Sequence, residues 1–207
     1  MNHGPEADNS PAGALDPQST VSAAGAVRPE PSLDPATVVR QYGDPVLRNK
    51  ARAIRKINAG VRDLAERMTS IMYSVNGIGL AAPQIGESRR LVVIDVGDGL
   101  FTLINPRVVS GEGSETDLEA CLSVVGLCGE VERYQRVRVK AVDLEGKDVT
   151  IDADGQLARV LQHELDHLDG VLYTDRALTV HPAASGDGEE DDDEGQEPLT
   201  QASPQWE

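Results

Sequence analysis

Residues Gln162-His163-Glu164-Leu165-Asp166-His167 constrain this chain more than any other stretch. They contain H-E-x-x-H, which makes chemical sense on a helix. Four residues is just over one turn, so both imidazoles leave the same face about 5–6 Å apart. Two ring nitrogens so placed can bind one metal ion, and the glutamate between them can handle a proton. The flanking residues supply the helix. Asp154-Gly155 opens it with Asp154 as the expected N-cap, it runs to about Leu168, and Gly170 follows its end. On a helical wheel with Leu157 at the origin, Leu161, Leu165 and Leu168 fall at about 40°, 80° and 20°, and Val160 at about 300°. Glu164, at about 340°, lies inside that apolar arc. An ionised carboxylate there is costly unless it is paired, hydrogen-bonded or beside a metal. His163 and His167 flank the arc at about 240° and 280°, and Asp166 points away at about 180°.

A catalytic metal needs a third protein ligand and keeps its fourth position for water. The candidates are Cys121, Cys128 and several carboxylates, because His3 and His181 fall in segments expected to be unstructured. The surroundings favour Cys121, which sits among polar and small residues on an expected strand. Cys128, between Leu127 and Gly129, resembles a small apolar residue. Two cysteines do not make a disulfide-stapled secreted domain, whereas a thiolate ligand suits a reducing compartment.

The rest of the chain predicts an α+β domain. Ile57, Val61, Leu64, Met68, Ile71, Met72 and Val75 recur at helical spacing, with Asn58 as N-cap and Asn76-Gly77 as the stop. Gly77 to Gln84 follows, a segment of little side-chain bulk that permits close approach of a ligand or backbone. Strands are expected at Leu91–Val96, after the Gly97-Asp98-Gly99 turn at Leu100–Asn105 with Pro106 as its limit, at Glu119–Val124, across Val131–Leu144, and at Asp148–Asp152. Val171–Tyr173 is expected as a short extended piece. The fold class is thus α+β, with antiparallel strands around a central metal-binding helix and one N-terminal helix.

Charge marks the domain limits. Of the net −16, residues 181–207 carry −9 and residues 1–36 carry −4, leaving −3 for residues 37–180. The expected organisation is a disordered extension over 1–36, a catalytic domain over 37–180 and a disordered acidic tail over 181–207. The balanced middle gives no direct nucleic-acid signal. No signal peptide and no apolar run long enough for a membrane helix are apparent, so a cytoplasmic monomer is expected.

Three stretches together resemble the peptide deformylases. Gly77 to Gln84 carries G-x-G-L-A-A-P-Q, and Gln162 to His167 carries Q-H-E-x-D-H. Glu119-Ala120-Cys121-Leu122-Ser123 is similar to E-G-C-L-S, with Ala120 in place of glycine. The resemblance spans about residues 38–176. It implies that Cys121, His163 and His167 hold one divalent metal ion, Fe(2+) foremost and Zn(2+), Ni(2+) or Co(2+) as substitutes. It implies Glu164 as general base and acid, and Gln84 with the Leu122 backbone N–H as oxyanion donors. Ile78 and Gly79 would pair with the substrate backbone, and Val160 would line the methionine pocket. The reaction implied is removal of formyl from an N-formylmethionyl peptide, with formate released. The partners are then that peptide and, transiently, the ribosome. Ala120 is the departure to test: if the glycine serves a positive φ, a methyl would displace Cys121, and if the backbone is ordinary strand it would not.

Two other readings compete. An H-E-x-x-H metallopeptidase would need a His or Glu ligand downstream of His167, where the only histidine is His181. A deformylase-like metal-binding protein with weak or altered activity would have little use for Glu164.

Overall fold

The computed structural model describes residues 34–183. Its elements are α1 (Pro35–Val38), α2 (Ala59–Ser74), β1 (Gly79–Ala81), β2 (Leu91–Ile94), β3 (Phe101–Glu112), β4 (Glu115–Cys121), β5 (Val124–Arg133), β6 (Arg136–Val142), β7 (Asp148–Asp154), α3 (Gly155–Leu168) and β8 (Thr179–Pro182). All pairings between these strands are antiparallel. One sheet has the order β1-β2-β3-β6-β7 and the other β4-β5-β8.

The apolar run of β2 explains the layering. Side chains alternate across a strand, so Val92 and Ile94 pack with Ala158, Leu161 and Leu168 of α3, while Leu91 and Val93 pack with Val61, Leu64, Met68 and Met72 of α2. Both faces of the five-stranded sheet are therefore covered, one by each long helix. The Asn58 side chain caps α2 by accepting from the Val61 N–H at 3.2 Å. At its other end Asn76 turns left-handed (φ 55°) and the Gly77 N–H donates to the Met72 carbonyl at 2.8 Å. That turn leads the low-bulk segment into β1, an edge strand.

Several boundaries differ from the sequence expectation. β3 runs through Pro106 to Glu112. The proline is tolerated because the pairing with β6 shifts register between Ile104 and Arg107, and no ladder bond is required there. Asn105 adopts φ 51° at the same place, and its amide ties down the Ile54 N–H and carbonyl at 2.8 Å each. The expected strand Glu119–Val124 is instead the end of β4, a turn at Leu122-Ser123 and the start of β5. The expected run Val131–Leu144 is two strands in different sheets, parted at Tyr134-Gln135. Tyr173–Asp175 is a 3-10 turn rather than extended. Asp154 is the N-cap of α3, but its side chain makes no capping hydrogen bond. Among the described residues the first helix starts at Pro35, before the expected domain limit, and β8 carries His181 and Pro182 past the other one. The remainder of the expected disordered segments, 1–33 and 184–207, lies outside the described residues.

Candidate metal centre

α3 packs its apolar stripe on the five-stranded sheet and turns its next face toward β4. Glu164 is 4% exposed and His167 1%. Cys121, at the end of β4, meets that face. One donor atom each from Cys121, His163 and His167 lies within 4.8 Å of the others, and Cys121 Sγ is 3.3 Å from His167 Nε2. A tetrahedral ion with bonds of about 2.0–2.3 Å separates its ligand atoms by about 3.3–3.8 Å, so this donor set fits a metal of borderline character. Among the described residues it is the one such cluster. Cys128 lies apart, with its sulfur 3.8 Å from His181 Nδ1 on the β5–β8 ladder.

The surroundings fix each of these side chains. His163 Nδ1 sits 2.8 Å from Glu119 Oε2, which leaves Nε2 for the cluster. A carboxylate on the far nitrogen orients an imidazole and raises its basicity. The Ser123 N–H donates to Cys121 Sγ at 3.4 Å. The Tyr173 ring stacks on His163 at 6.2 Å between centroids. Burial and the nearby His163 push the His167 pKa down, which favours a neutral, ligating imidazole.

Glu119 is itself clamped. Arg133 Nε and Nη2 donate to its two oxygens at 2.8 Å each, and Arg159 Nη1 adds a bond at 3.0 Å. Burial alone would raise the Glu119 pKa, but hydrogen bonds from Arg133 and His163 outweigh it and hold the carboxyl far below the usual range. Arg133 also reaches Asp166 Oδ2 at 2.5 Å. Asp166, expected to point away, is thereby drawn into the network and shared with Arg176. Removing Arg133 would leave the buried Glu119 with Arg159 and His163 alone and Asp166 with the exposed Arg176 alone. Breaking a buried ion pair costs roughly 3–5 kcal/mol, so Arg133→Leu is expected to lose stability on that scale in urea unfolding, whereas Arg138→Leu, from an exposed and solvent-screened pair, should leave the urea midpoint close to the wild type's.

A cleft of about 750 Å³ opens beside the cluster. Of the nine residues singled out from the sequence, Ile78, Gly79, Gln84, Cys121, Leu122, Val160, His163 and Glu164 line it, and His167 lies behind them. Gln84 has a defined orientation. Its Oε1 must accept from the Ala81 N–H at 2.7 Å, which turns Nε2 toward Ser123 Oγ at 3.2 Å and Cys121 Sγ at 3.7 Å. Gly79 is required by space, since a Cβ would collide with Glu164 Oε1 and stand 2.9 Å from Val160 Cγ1. Glu164 Oε2 is buried without a hydrogen-bond partner, and burial pushes its carboxyl up to about 7. Ala120 is ordinary strand, absent from the positive-φ residues, and pairs with Cys128. Its methyl imposes no backbone strain on Cys121.

Sequence reasoning gave no role to Glu119, Ser123, Arg133, Arg159 or Tyr173. The available signals were Glu119 and Ser123 inside the second motif and Arg133 in an alternating strand, at a position that the pattern assigns to the buried face beside Val131.

Comparison with known proteins agrees with this geometry. A family profile described as polypeptide deformylase matches residues 36–182. A peptide deformylase of Symbiobacterium thermophilum is 52% identical over 151 residues, which is 72% of this chain and 69% of that protein. One from Carboxydothermus hydrogenoformans is 48% identical over 142 residues, 69% of this chain and 93% of that protein. The crystal structure of the Thermotoga maritima peptide deformylase superposes with a TM-score of 0.67 at 42% identity, covering 68% of this chain and 97% of that one. With its site residues gathered on one helix and two strand ends, and with this likeness running from Ala36 to Pro182, the chain belongs to the polypeptide deformylase family.

Proposed function

We propose that this enzyme, which removes the formyl group from N-terminal formylmethionine, does so with Cys121, His163 and His167 holding one divalent ion, ferrous iron in the cell and replaceable by zinc, nickel or cobalt. The observation that carries this reading is the convergence of those three donors beside a buried carboxylate oxygen with no partner. When bound, the ion supplies Lewis-acid activation of water and of the formyl oxygen.

The remaining steps belong to the chain's own side chains. Glu164 accepts the proton of the attacking water as its oxygen adds to the formyl carbon. A carboxyl tuned toward neutrality suits a group that must both take and return a proton; a bound cation would draw it lower again. Charge then grows on the formyl oxygen. Gln84 Nε2 and the Leu122 N–H donate to it, each worth up to about 3–4 kcal/mol in a dry site. Glu164 delivers its proton to the departing nitrogen, so that an amine leaves instead of an amide anion. Ile78 and Gly79 present the free edge of β1 to the substrate backbone, and Val160 contributes to the methionine pocket.

Gly79 tests this arrangement without touching a ligand. Gly79→Ala drives a methyl into Glu164 and Val160, and a displacement near 1 Å costs about 10²-fold in rate. The expected result is a loss of that order in kcat/KM with metal content unchanged. Wild-type activity would contradict the placement of Glu164. The function itself is tested by formate release from formyl-Met-Ala-Ser with anaerobically purified protein, against internal peptide-bond cleavage of an unformylated peptide. Formate alone is expected, and cleavage alone would favour a metallopeptidase. Action in the cytoplasm, as a monomer meeting the ribosome transiently, accords with a substrate that is a nascent chain. Among the described residues no helix is long and apolar enough to cross a membrane.

A further inference from the structure

Gln162 opens the Q-H-E-x-D-H stretch, but the proposed reaction gives it no task. It stands directly before His163 on α3 and is buried. Its amide is fully engaged with backbone. Oε1 accepts from the Tyr134 N–H at 3.0 Å, and Nε2 donates to the Tyr134 carbonyl at 2.9 Å and to the Ala158 carbonyl at 3.0 Å. Two acceptors on one end of the amide fix which end is Nε2. Side chain and backbone thus exchange a donor and an acceptor, as two residues do in a hydrogen-bonded pair of an antiparallel ladder.

The place of Tyr134 explains the pairing. β5 ends at Arg133 in one sheet, and β6 starts at Arg136 in the other. At Tyr134 the chain belongs to neither, so neither ladder serves its N–H and carbonyl. Gln162 supplies both partners. The Tyr134 ring lies against Gly111, where a Cβ would collide with it. One residue earlier is Arg133, whose guanidinium grips Glu119 and Asp166. Glu119 in turn holds His163 Nδ1. These links close a circuit that leaves α3 at Gln162 and returns to it at the next residue, His163.

We infer that Gln162 is a positioning residue: by pinning the Tyr134 backbone it sets Arg133, and through Arg133 and Glu119 it fixes the ring of His163 at the metal centre. The inference rests on the metal-dependent reading above. Leucine at this position would fill the space and leave both Tyr134 groups without the amide. Glutamate would keep the acceptor for the Tyr134 N–H and set an oxygen against the Tyr134 carbonyl.

The test uses the full chain loaded anaerobically with Co(2+), whose visible bands follow the geometry of its ligands. Gln162→Leu and Gln162→Glu are expected to shift those bands and to speed metal loss to a chelator by about tenfold or more, the scale for losing support behind a ligand. Formate release from formyl-Met-Ala-Ser should fall in kcat with KM unchanged, because Gln162 lies outside the cleft lining. Gln162→Glu matches the native shape and carries the test should Gln162→Leu not fold. Asn105→Gly is the control. Asn105 makes the same two-way amide pair with the Ile54 backbone on the α2 side of the sheet, and glycine accepts its positive φ. That variant should melt below the wild type with bands and metal loss unchanged. Wild-type bands and chelator rate in both Gln162 variants, with lowered melting alone, would make Gln162 purely structural and leave the metal reading standing. Shifted bands in Asn105→Gly would overturn the inference as well, since any loss of two backbone bonds would then suffice. A wild-type chain that takes up no cobalt would overturn both the inference and the reading beneath it.

Discussion

Glu164→Gln is expected to lower kcat for formate release by about 10³-fold or more while leaving bound metal unchanged. The size follows from the two tasks proposed for it, since proton transfer by a placed side chain is worth roughly 10²–10⁴-fold and the proposed mechanism uses this group both on water and on the leaving amine. Glutamine keeps the shape, so the packing of Gly79 against the side chain survives and the loss reports the proton alone. Glu164 is also a buried carboxylate with one oxygen unpartnered. An ionisable group without a partner is costly to bury, so Glu164→Gln should be at least as stable as the wild type in metal-free thermal melts. Stability gained as activity is lost is the signature of a residue kept for chemistry. Near-wild-type kcat would remove Glu164 from the mechanism.

Cys121→Ser is expected to lose most bound metal and nearly all activity, while Cys128→Ser keeps both. The contrast rests on position. Cys121 Sγ lies 3.3 Å from His167 Nε2 and accepts from the Ser123 N–H, whereas Cys128 faces His181 on the other side of the hairpin. A serine hydroxyl replaces a thiolate with a neutral oxygen and removes the ligand that suits a borderline metal. Metal content measured by mass spectrometry, beside formate release, checks both variants. The reverse outcome would refute the ligand set. The same thiolate predicts oxygen sensitivity, because oxidising Cys121 removes a ligand.

How much of this was readable in the sequence follows from the range over which each signal acts. α2 and α3 were legible because their periodicity and the Asn58 cap are local. The inward position of Glu164 came from helical geometry alone. The length of β3 was not legible, since Pro106 is a valid local stop that a register shift and the Asn105 amide overrule from outside the strand. The partition of Val131–Leu144 into two sheets was hidden because alternation on either side of Tyr134-Gln135 is the same, whichever sheet each half joins. Within the site, the two donor histidines stood out by their spacing and Cys121 by its motif, and the fold brings the three together. The clamp of Arg133 on Glu119 and Asp166 did not, because it joins residues 14 and 33 positions away.

The central claim is that one metal in the Cys121–His163–His167 cluster, with Glu164 beside it, removes formyl from a peptide N-terminus. Its most direct test is metal content and formate release measured on the same anaerobically purified sample, with formyl-Met-Ala-Ser as substrate. The account predicts formate release proportional to bound metal, saturating near about one ion per chain, abolished by a chelator and restored by Fe(2+). Release that survives complete removal of metal, or full occupancy of the cluster with no formate, would contradict it.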